Sequence, residues 1–308
     1  GGTPIFADID PKTFLIDPKS IKKSINKNTK GIITVSLYGL MPDYKEIKKI
    51  TSKKNIFIIE DNAECFLGRS LKNITGSYGE FSMYSFQSSK HITCGNGGII
   101  TTNKRDLYEK AKEISNLGYP ISGKKSFTRN NIQDPNFERH KVLGLNYRLP
   151  ELCAAVAYAQ LERIEDLIRV RKEAGKKFKK IIKEFSFVKE QKVPKGYIHT
   201  YWCFPFVLNF KNKNIWFKFK KIFNKNGGDF FYAAWKPAYL EPLFKTIYSS
   251  TVINKKYSKG LCPNAEYIQE RVVQLKTNYW TPRRLNAQLA ILRKTLKEIE
   301  YEYLSKNI

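Results

Sequence analysis

Apolar residues in the first 60 positions alternate between short, nearly continuous runs and stretches with helical spacing. Residues 31–37 and 55–59 are almost uninterrupted β-branched or apolar runs, which are typical of strands buried on both faces of a parallel sheet. Residues 43–54 lie between them with apolar positions at helical spacing. We also predict a short strand at residues 4–10. This order of strands and helices predicts an α/β fold with a parallel sheet.

Local signals mark where several of these elements begin and end. Asp17-Pro18 predicts the start of a helix, with aspartate as N-cap and proline in the first turn. Tyr38-Gly39 ends the first apolar run, and residues 76–79 form a glycine-rich turn. Asp61 follows the run at 55–59, so it lies at the carboxyl end of a strand, where open α/β sheets bind ligands. The alternative for Asp61 is a helix cap, which is equally common.

The stretch from Ser85 to Gly98 combines several chemical signals in one turn. A β-rich run at 81–86 leads into small polar residues and Lys90, then three glycines precede a second β-branched run at 99–102. Hydroxyls and backbone N–H groups in such a turn bind oxyanions such as phosphate. A lysine held between two packed strands is placed for Schiff-base chemistry. An ordinary exposed lysine on a polar surface hairpin is the alternative.

The pattern changes in the second half of the chain. A helix is predicted at 104–115, an irregular segment at 117–141, and one long helix from Pro150 to about Phe185. Later residues predict a smaller α+β unit, with a strand at 201–208 and helices at 215–224, 265–275 and 285–303. We therefore predict two domains, residues 1–160 and residues 161–308, with the long helix connecting them.

The high positive net charge of the chain suggests a nucleic-acid or membrane partner, but the distribution of the charges does not support one. The 308 residues include 55 Lys and Arg against 28 Asp and Glu, giving a net charge of +27. Such an excess is found in nucleic-acid-binding and membrane-surface proteins. Here the lysines are spread over predicted helical faces, which indicates solvated surfaces, and no apolar run is long enough to cross a bilayer. We predict neither a nucleic-acid nor a membrane partner.

Cysteine and histidine usage argues against structural cross-links. The five cysteines are an odd number without a C-x-x-C pair, and the three histidines are far apart in sequence. This predicts no disulfide framework, no metal site and a reducing cytoplasm. The chain begins Gly1-Gly2-Thr3 rather than with methionine, so we expect an upstream part of the protein.

Three blocks in fixed order resemble the DegT/DnrJ/EryC1/StrS family of sugar aminotransferases. They are residues 57–64 (FIIEDNAE), 85–98 (SFQSSKHITCGNGG) and 144–148 (GLNYR), followed by a helix at 154–164 that also matches. The resemblance is strong over residues 1–175 and loose beyond them. It implies the α/β PLP-transferase type I fold, with a large pyridoxal phosphate (PLP) domain and a smaller α+β domain.

The resemblance also implies a role for each site residue. Lys90 would form the Schiff base with PLP and move the substrate proton, and Asp61 would pair with the pyridinium nitrogen. Ser85 would bind the PLP phosphate. Asn146 would reach the phosphate of the neighbouring subunit's cofactor, which implies a homodimer with a shared active site. Glu64 would lie near the phenolic oxygen of PLP.

The sequence departs from the family pattern at two places. Glu64 stands where the family usually has glutamine, and an ionised carboxylate there would repel the phenolate of PLP. The segment before Gly1 would normally supply a phosphate-binding Gly-Thr/Ser turn and part of the sheet. Relatives that carry histidine in place of the lysine are dehydratases, but here Lys90 occupies that position. His91, one position later, is expected to be a packing or polar neighbour.

These residues predict a PLP-dependent aminotransferase that moves an amino group from glutamate or glutamine to a keto-sugar. The expected acceptor is a nucleotide-linked 4-keto-6-deoxyhexose or a 3-keto relative, and the product would enter polysaccharide or glycoconjugate synthesis. A cyclitol ketone of the scyllo-inosose type is the alternative acceptor. From another class, the alternatives are a regulatory or nucleic-acid-binding protein that reuses the fold, and a catalytically inactive fragment.

Overall fold

The structure is a computed structural model that describes residues 2–121, 128–212, 214–247 and 257–304. Within these residues the strands are β1 Gly31–Val35, β2 Phe57–Asp61, β3 Arg69–Ser70, β4 Asn73–Ile74, β5 Phe81–Ser85, β6 Gly98–Thr101, β7 Val188–Glu190, β8 Tyr197–Ile198, β9 Cys203–Leu208, β10 Tyr232–Ala233 and β11 Val272–Lys276. The helices are α1 Pro18–Ser24, α2 Tyr44–Thr51, α3 Arg105–Ser115, α4 Arg129–Ile132, α5 Glu151–Leu161, α6 Ile164–Ile182, α7 Ile215–Lys225, α8 Pro242–Ile247, α9 Pro263–Gln269 and α10 Pro282–Leu304.

The first sheet has the strand order β1-β2-β5-β6. Strands β1, β2 and β5 are parallel, and β6 returns antiparallel to β5. One face is covered by α1 and α2 and buries Ile32 and Ile58. The opposite face presents Ile33, Phe57 and Ile100, each between 44% and 61% exposed. The predicted parallel α/β sheet is therefore confirmed, with an apolar face left open in this chain.

The second sheet is antiparallel, with the order β10-β11-β9-β7. Residues of β9 and β11 are buried on both faces. One face, with Phe204 and Phe206, packs on α6, α7 and α10 in the largest apolar cluster of the described residues. The other face, with Cys203 and Val207, packs against the turn at Tyr38. This second face meets the first sheet and contributes to the candidate active site.

Three predicted elements differ from the structure. The expected single helix from Pro150 to Phe185 is wrong, because it breaks between α5 and α6, where Arg163 has non-helical backbone angles (φ −109°, ψ 12°). The helix at 265–275 is wrong in its second half. Helix α9 ends at Gln269, and the β-branched residues that follow pair with β9 as β11.

The predicted strand at residues 4–10 is also wrong, since its pairing is limited to one isolated bridge between Ile9 and Ile16. Side chains hold this segment instead. The Asp8 carboxylate accepts hydrogen bonds from the backbone N–H groups of Asn264 and Ala265 at the start of α9. The hydroxyl of Tyr257 donates to the carbonyl of Pro4.

Other predicted boundaries hold within a few residues. Asp17 caps α1 by accepting from the N–H of Lys19, as expected. The segment at 117–141 is largely irregular, apart from the one-turn helix α4, and part of it lies outside the described residues. The division into domains 1–160 and 161–308 stays a proposal. No helix in the described ranges combines the length and apolar character needed to span a bilayer.

Two histidines are buried as neutral rings between the two sheets. The N–H of Tyr201 donates to Nδ1 of His199, whose Nε2 lies 2.9 Å from Oε1 of Gln191. This fixes the Nε2–H tautomer, since Nδ1 must accept and Gln191 Oε1 can only accept. Burial lowers the pKa of His199 to about 3. Burial, and next the charge of Arg171, also hold the pKa of His91 well below its usual range.

These histidines predict a loss of stability on mild acidification. Both stay neutral in the folded state, while in the unfolded chain they titrate near pH 6.5. Below that pH the unfolded state binds more protons, so the free energy of unfolding falls as the pH falls. We expect a loss of about 2 kcal/mol per histidine between pH 7 and pH 5, measured by urea unfolding.

The exposed His140 provides the control. The variant His140→Asn should keep the pH dependence of the parent protein, whereas His199→Asn should lose part of it. Equal stability at pH 7 and pH 5 in the parent protein would contradict the assignment of both rings as neutral.

Candidate active site

Lys90 lies in an enclosed corner between the two sheets. Its Nζ is 3.1 Å from Oε1 of Glu64, and both side chains are only about one-seventh exposed, at 15% and 14%. The same Nζ lies 4.5 Å from the ring centroid of Trp202, which precedes β9. A carboxylate and an aromatic face therefore surround the amine. The alternative of an ordinary exposed lysine is excluded by this burial.

The second oxygen of Glu64 is held by a strained turn. Oε2 accepts the backbone N–H of Tyr38 at 3.0 Å. Tyr38 has φ 65°, and Gly39 follows with φ +105°. A Cβ on Gly39 would lie 2.5 Å from the backbone nitrogen of Tyr201, so glycine is required for the close approach of this turn to the segment that leads into β9.

Burial dominates the electrostatics of Glu64. Desolvation raises its pKa, and the Lys90 ammonium together with the Tyr38 N–H partly offsets this rise. The negative charge of Asp61 contributes a smaller rise in the same direction. The Lys90 ammonium and the Tyr38 N–H therefore supply the interactions that favour an ionised carboxylate in this corner.

Arg171 of α6 fixes the backbone around Lys90. Arg171 is 5% exposed, and its guanidinium donates to the carbonyl of Lys90 at 2.9 Å and to the carbonyl of Trp202 at 2.8 Å. It also donates to Oγ1 of Thr277, just after β11, at 3.3 Å. In addition, the indole N–H of Trp202 donates to the carbonyl of Ser89 at 2.8 Å. Four elements of the chain thus meet at the backbone of Lys90.

Glu60 and Asn62 fix the end of β2 through buried hydrogen bonds. Glu60 is fully buried and accepts the backbone N–H groups of Gly76, Tyr78 and Gly79 at 2.6–2.9 Å. Asn62 receives the Ser36 hydroxyl on its Oδ1 and donates from Nδ2 to Ser82. These side chains tie the carboxyl end of β2 to the residue after β1, to the start of β5 and to the turn before β5. Asp61 lies between Glu60 and Asn62 on the opposite face of the strand.

Asp61 is half-buried, and its Oδ1 accepts the N–H of Ala63 at 3.0 Å. This contact closes a turn, and the helix cap that the sequence left open as an alternative is wrong, because residues 62–68 form no helix. It uses one of the two oxygens of Asp61. Ser85, at the end of β5, pairs with Gly98, and its hydroxyl accepts the N–H of Gln87 at 3.2 Å. Both residues lie at the same end of the parallel strands as Glu64.

Asn146 is not brought to this corner within one chain. It is exposed, forms a bridge with Asn116 after α3, and accepts the Nε–H of Arg148 at 2.9 Å. In the described ranges no hydrogen bond connects Asn146 with Lys90 or Glu64.

His91 is buried beside Lys90, with Nε2 3.1 Å from the carbonyl of Thr200, so it is a packing residue rather than an exposed catalytic group.

The side chains of Lys90, Asp61 and Ser85 have the chemistry that PLP binding requires. A primary amine, a strand-end carboxylate and a hydroxyl lie on neighbouring turns at one end of the sheet, matching the groups that would bind an aldehyde, a ring nitrogen and a phosphate. In the part of the chain that the structure describes, no group of three or more His, Cys, Asp or Glu side chains is arranged to hold a metal ion.

Several site residues were not predicted from the sequence. Tyr38, Arg171 and Trp202 contact the Lys90–Glu64 pair or its backbone, although they lie far from both in the chain. Arg171 occurs in a helix rich in lysine and arginine, so nothing local distinguishes it from its solvated neighbours. Tyr38 was recognised only as the end of a strand.

Removal of the Arg171 guanidinium should weaken the fold measurably. Arg171→Met leaves the buried carbonyls of Lys90 and Trp202 without their donors, and we expect the free energy of unfolding to fall by about 3 kcal/mol. Urea unfolding followed by circular dichroism measures this. Arg169→Met on the same helix is the control, because Arg169 is exposed and its ion pair with Asp166 contributes little. Equal effects of the two variants would contradict the role of Arg171.

Several known proteins are similar to this chain in sequence. A family model described as the DegT/DnrJ/EryC1/StrS aminotransferase family matches residues 1–280. The GDP-perosamine synthase of Escherichia coli O157:H7 is 35% identical over 202 residues, which are 66% of this chain and 51% of that protein. The GDP-4-keto-6-deoxy-D-mannose 3-dehydratase of Yersinia pseudotuberculosis is 33% identical over 193 residues, 59% of this chain and 48% of that enzyme.

The fold is also found in solved structures. Helicobacter pylori PseC, described as an aminotransferase involved in the biosynthesis of pseudoaminic acid, superposes with a TM-score of 0.81 at 22% identity, covering 96% of this chain and 74% of its own. The chain spans about half the length of the curated relatives it matches. The family model nevertheless covers most of the 308 residues. The chain belongs to the DegT/DnrJ/EryC1/StrS aminotransferase family.

Proposed function

We propose that the protein is a PLP-dependent aminotransferase that acts on a keto-sugar. The observation that carries this proposal is the enclosed Lys90 amine, held against Glu64 and Trp202 at the carboxyl ends of parallel strands. A buried lysine at this edge of an α/β sheet is placed for nucleophilic chemistry rather than for solubility. Family membership supports the same activity.

Lys90, Asp61 and Ser85 would hold PLP within one chain. Bound PLP supplies an electron sink for the charge that develops when a proton leaves the substrate carbon. Asp61, with one oxygen committed to Ala63, would offer its carboxylate to the ring nitrogen. The Ser85 hydroxyl would donate to the phosphate, since its oxygen already accepts from the N–H of Gln87.

Lys90 would carry the proton between substrate and cofactor, and Glu64 would position the amine of Lys90. The ion pair at 3.1 Å holds the ammonium group in one place, and the Tyr38 N–H holds the carboxylate. A free amine must lose its proton before it attacks a carbonyl, and Glu64 is a nearby carboxylate to receive it. Burial raises the pKa of Glu64, which brings its proton affinity closer to that needed for such transfer. Glu64 therefore has a use at the position where glutamine is usual.

The relatives support a nucleotide-linked sugar as acceptor. One is named as a GDP-perosamine synthase, and another acts on GDP-4-keto-6-deoxy-D-mannose as a dehydratase. Lys90 stands where dehydratases of this fold carry histidine, which favours amino transfer here. We propose a 4-keto-6-deoxyhexose or a 3-keto relative as acceptor and glutamate or glutamine as donor, with a product destined for polysaccharide or glycoconjugate synthesis.

We also propose that two copies of the chain form a homodimer through α5 and the segment that carries Asn146. Leu143, Tyr147, Leu152 and Tyr158 on this surface are between 65% and 96% exposed. These four large apolar side chains lie within one stretch of 16 residues, and exposed apolar patches mark protein–protein interfaces. In a dimer, Asn146 would act on the cofactor of the second copy, in accord with its contacts to Asn116 and Arg148 in its own chain.

The Lys90 assignment predicts a spectroscopic change. Purified protein mixed with PLP should show the visible absorption band of a lysine–PLP adduct, and the band should bleach with glutamate. Lys90→Ala should abolish it, because within the described ranges Lys90 is the amine that lies against Glu64 and Trp202.

Lys49→Ala is the matched control, since Lys49 also pairs with a glutamate, Glu46, but on an exposed helix face. This variant should keep the band. A band that survives Lys90→Ala, or a folded protein that never develops one, would contradict the proposed function.

The dimer predicts a clear result in sedimentation velocity. The protein should sediment as a dimer, and the double variant Leu152→Asp/Tyr158→Asp should sediment as a monomer, since two carboxylates cannot be buried unpaired. Phe217→Asp on α7 is the control, because Phe217 is 68% exposed outside this surface. A monomeric parent protein, or a double variant that remains dimeric, would exclude this interface.

A further inference from the structure

A row of three aromatic rings leads outward from Lys90 across the second sheet. Nζ of Lys90 lies over the ring of Trp202, and this ring stacks on Tyr232 with centroids 5.4 Å apart and an interplanar angle of 26°. The ring of Phe230 meets Tyr232 edge-on at 5.1 Å. Trp202, Tyr232 and Phe230 form what we call the aromatic row.

Exposure increases along this row. Trp202 is 8% exposed, Tyr232 is half-buried, and Phe230 is 64% exposed. A single exposed phenylalanine would need no explanation. Here, however, the exposed ring continues a line of contacts that begins at the candidate nucleophile. The row therefore connects the reactive amine with the surface.

A cation lies at the outer end of the row. Nζ of Lys276 is 5.6 Å from the ring centroid of Phe230. Across the described ranges, no carboxylate forms an ion pair with Lys276. Its position at the end of β11 opposite Cys203 places it on the sheet face that meets the active site, together with Gln274 and Tyr232.

This face is tied to the catalytic corner by hydrogen bonds. Nε2 of Gln274 donates to the hydroxyl of Tyr38 at 3.3 Å, and the N–H of Tyr38 donates to Glu64. Burial is the main cause that raises the pKa of the Cys203 thiol. The charges of Glu64, Arg171 and Lys90 also act on this thiol. The aromatic row and the Lys90–Glu64 pair are thus joined through the buried side chains of Tyr38 and Gln274.

We propose that the aromatic row and Lys276 form the subsite for the nucleoside diphosphate of a sugar nucleotide. This inference rests on the proposed function and extends it to the part of the substrate that does not react. Phe230 offers an accessible ring for stacking on a base. Lys276 supplies an unpaired positive charge for the diphosphate. The sugar carbonyl would lie at Lys90, at the buried end.

A sugar nucleotide and the aromatic row both have a reactive group at one end and charged and aromatic groups towards the other. In a sugar nucleotide the reacting carbonyl, the diphosphate and the base follow one another, and the diphosphate separates the uncharged sugar from the aromatic base. Along the aromatic row, Lys90 is followed by the buried ring of Trp202 and the half-buried ring of Tyr232. The exposed ring of Phe230, with Lys276 beside it, comes last. A plain anion site would not need Phe230, and a plain apolar site would not need Lys276.

Binding of GDP and of UDP, the probes we would use, tests the subsite by isothermal titration calorimetry on PLP-treated protein. We expect at least one of them to bind more tightly than inorganic pyrophosphate. Phe230→Leu should weaken that binding about tenfold through loss of stacking. Lys276→Gln should weaken it by a similar factor and make it less sensitive to salt.

Helix α7 offers a matched pair of controls. Lys220 lies 5.7 Å from the ring of Trp216, and the neighbouring Phe217 is exposed, so the same chemistry occurs away from the proposed subsite. Phe217→Leu and Lys220→Gln should change the affinity by less than about twofold.

The outcomes separate the subsite from the proposed function. If the Lys90-dependent absorption band is present but neither nucleotide binds, or Phe230→Leu behaves like Phe217→Leu, the subsite is wrong and the aminotransferase stands. If pyrophosphate binds as tightly as the nucleotides, Lys276 marks an anion site without base recognition, and the inference is overturned. If nucleotides bind through Phe230 but no band forms, the subsite stands and the catalytic proposal fails.

Discussion

The placement of Lys90 depends on one buried guanidinium. Arg171 binds the backbone carbonyls of Lys90 and Trp202, so the turn that carries the candidate nucleophile and the segment before β9 that carries its aromatic neighbour cannot move independently. Burying an arginine without a carboxylate partner costs desolvation energy, and here three polar groups of the protein offset that cost. The arrangement uses the reach of the guanidinium, because its separate N–H groups contact groups on three elements.

A second constraint acts below the site, at the carboxyl ends of the parallel strands. Glu60 receives three backbone N–H groups from the turn at 76–79, and Asn62 links Ser36 with Ser82. Successive side chains of a strand point to opposite faces. Anchoring Glu60 and Asn62 on one face therefore directs Asp61 to the other, where a ligand can reach it.

The Lys90–Glu64 pair explains how two charges are kept in a nearly closed corner. Each supplies the counter-charge of the other, and the Tyr38 N–H and the Trp202 ring complete the surroundings. A glutamine at position 64 would provide no counter-charge for the ammonium. The glutamate thus changes the resting state of the site, while the aromatic row provides a route from this corner to the surface.

The sequence by itself determined the α/β class, the strand ends and the identity of the family, because apolar periodicity, turn residues and the blocks around Asp61, Lys90 and Asn146 are local features. It also allowed Lys90, Asp61, Ser85 and Glu64 to be placed at one edge of the sheet. Only the tertiary structure decided that Arg171, Trp202 and Tyr38 surround the amine, since their roles arise from contacts across as many as 112 positions between Lys90 and Trp202. The same reason explains the wrong helix at 265–275: β11 has no strong local signal, and pairing with the doubly buried β9 overrides its helical spacing.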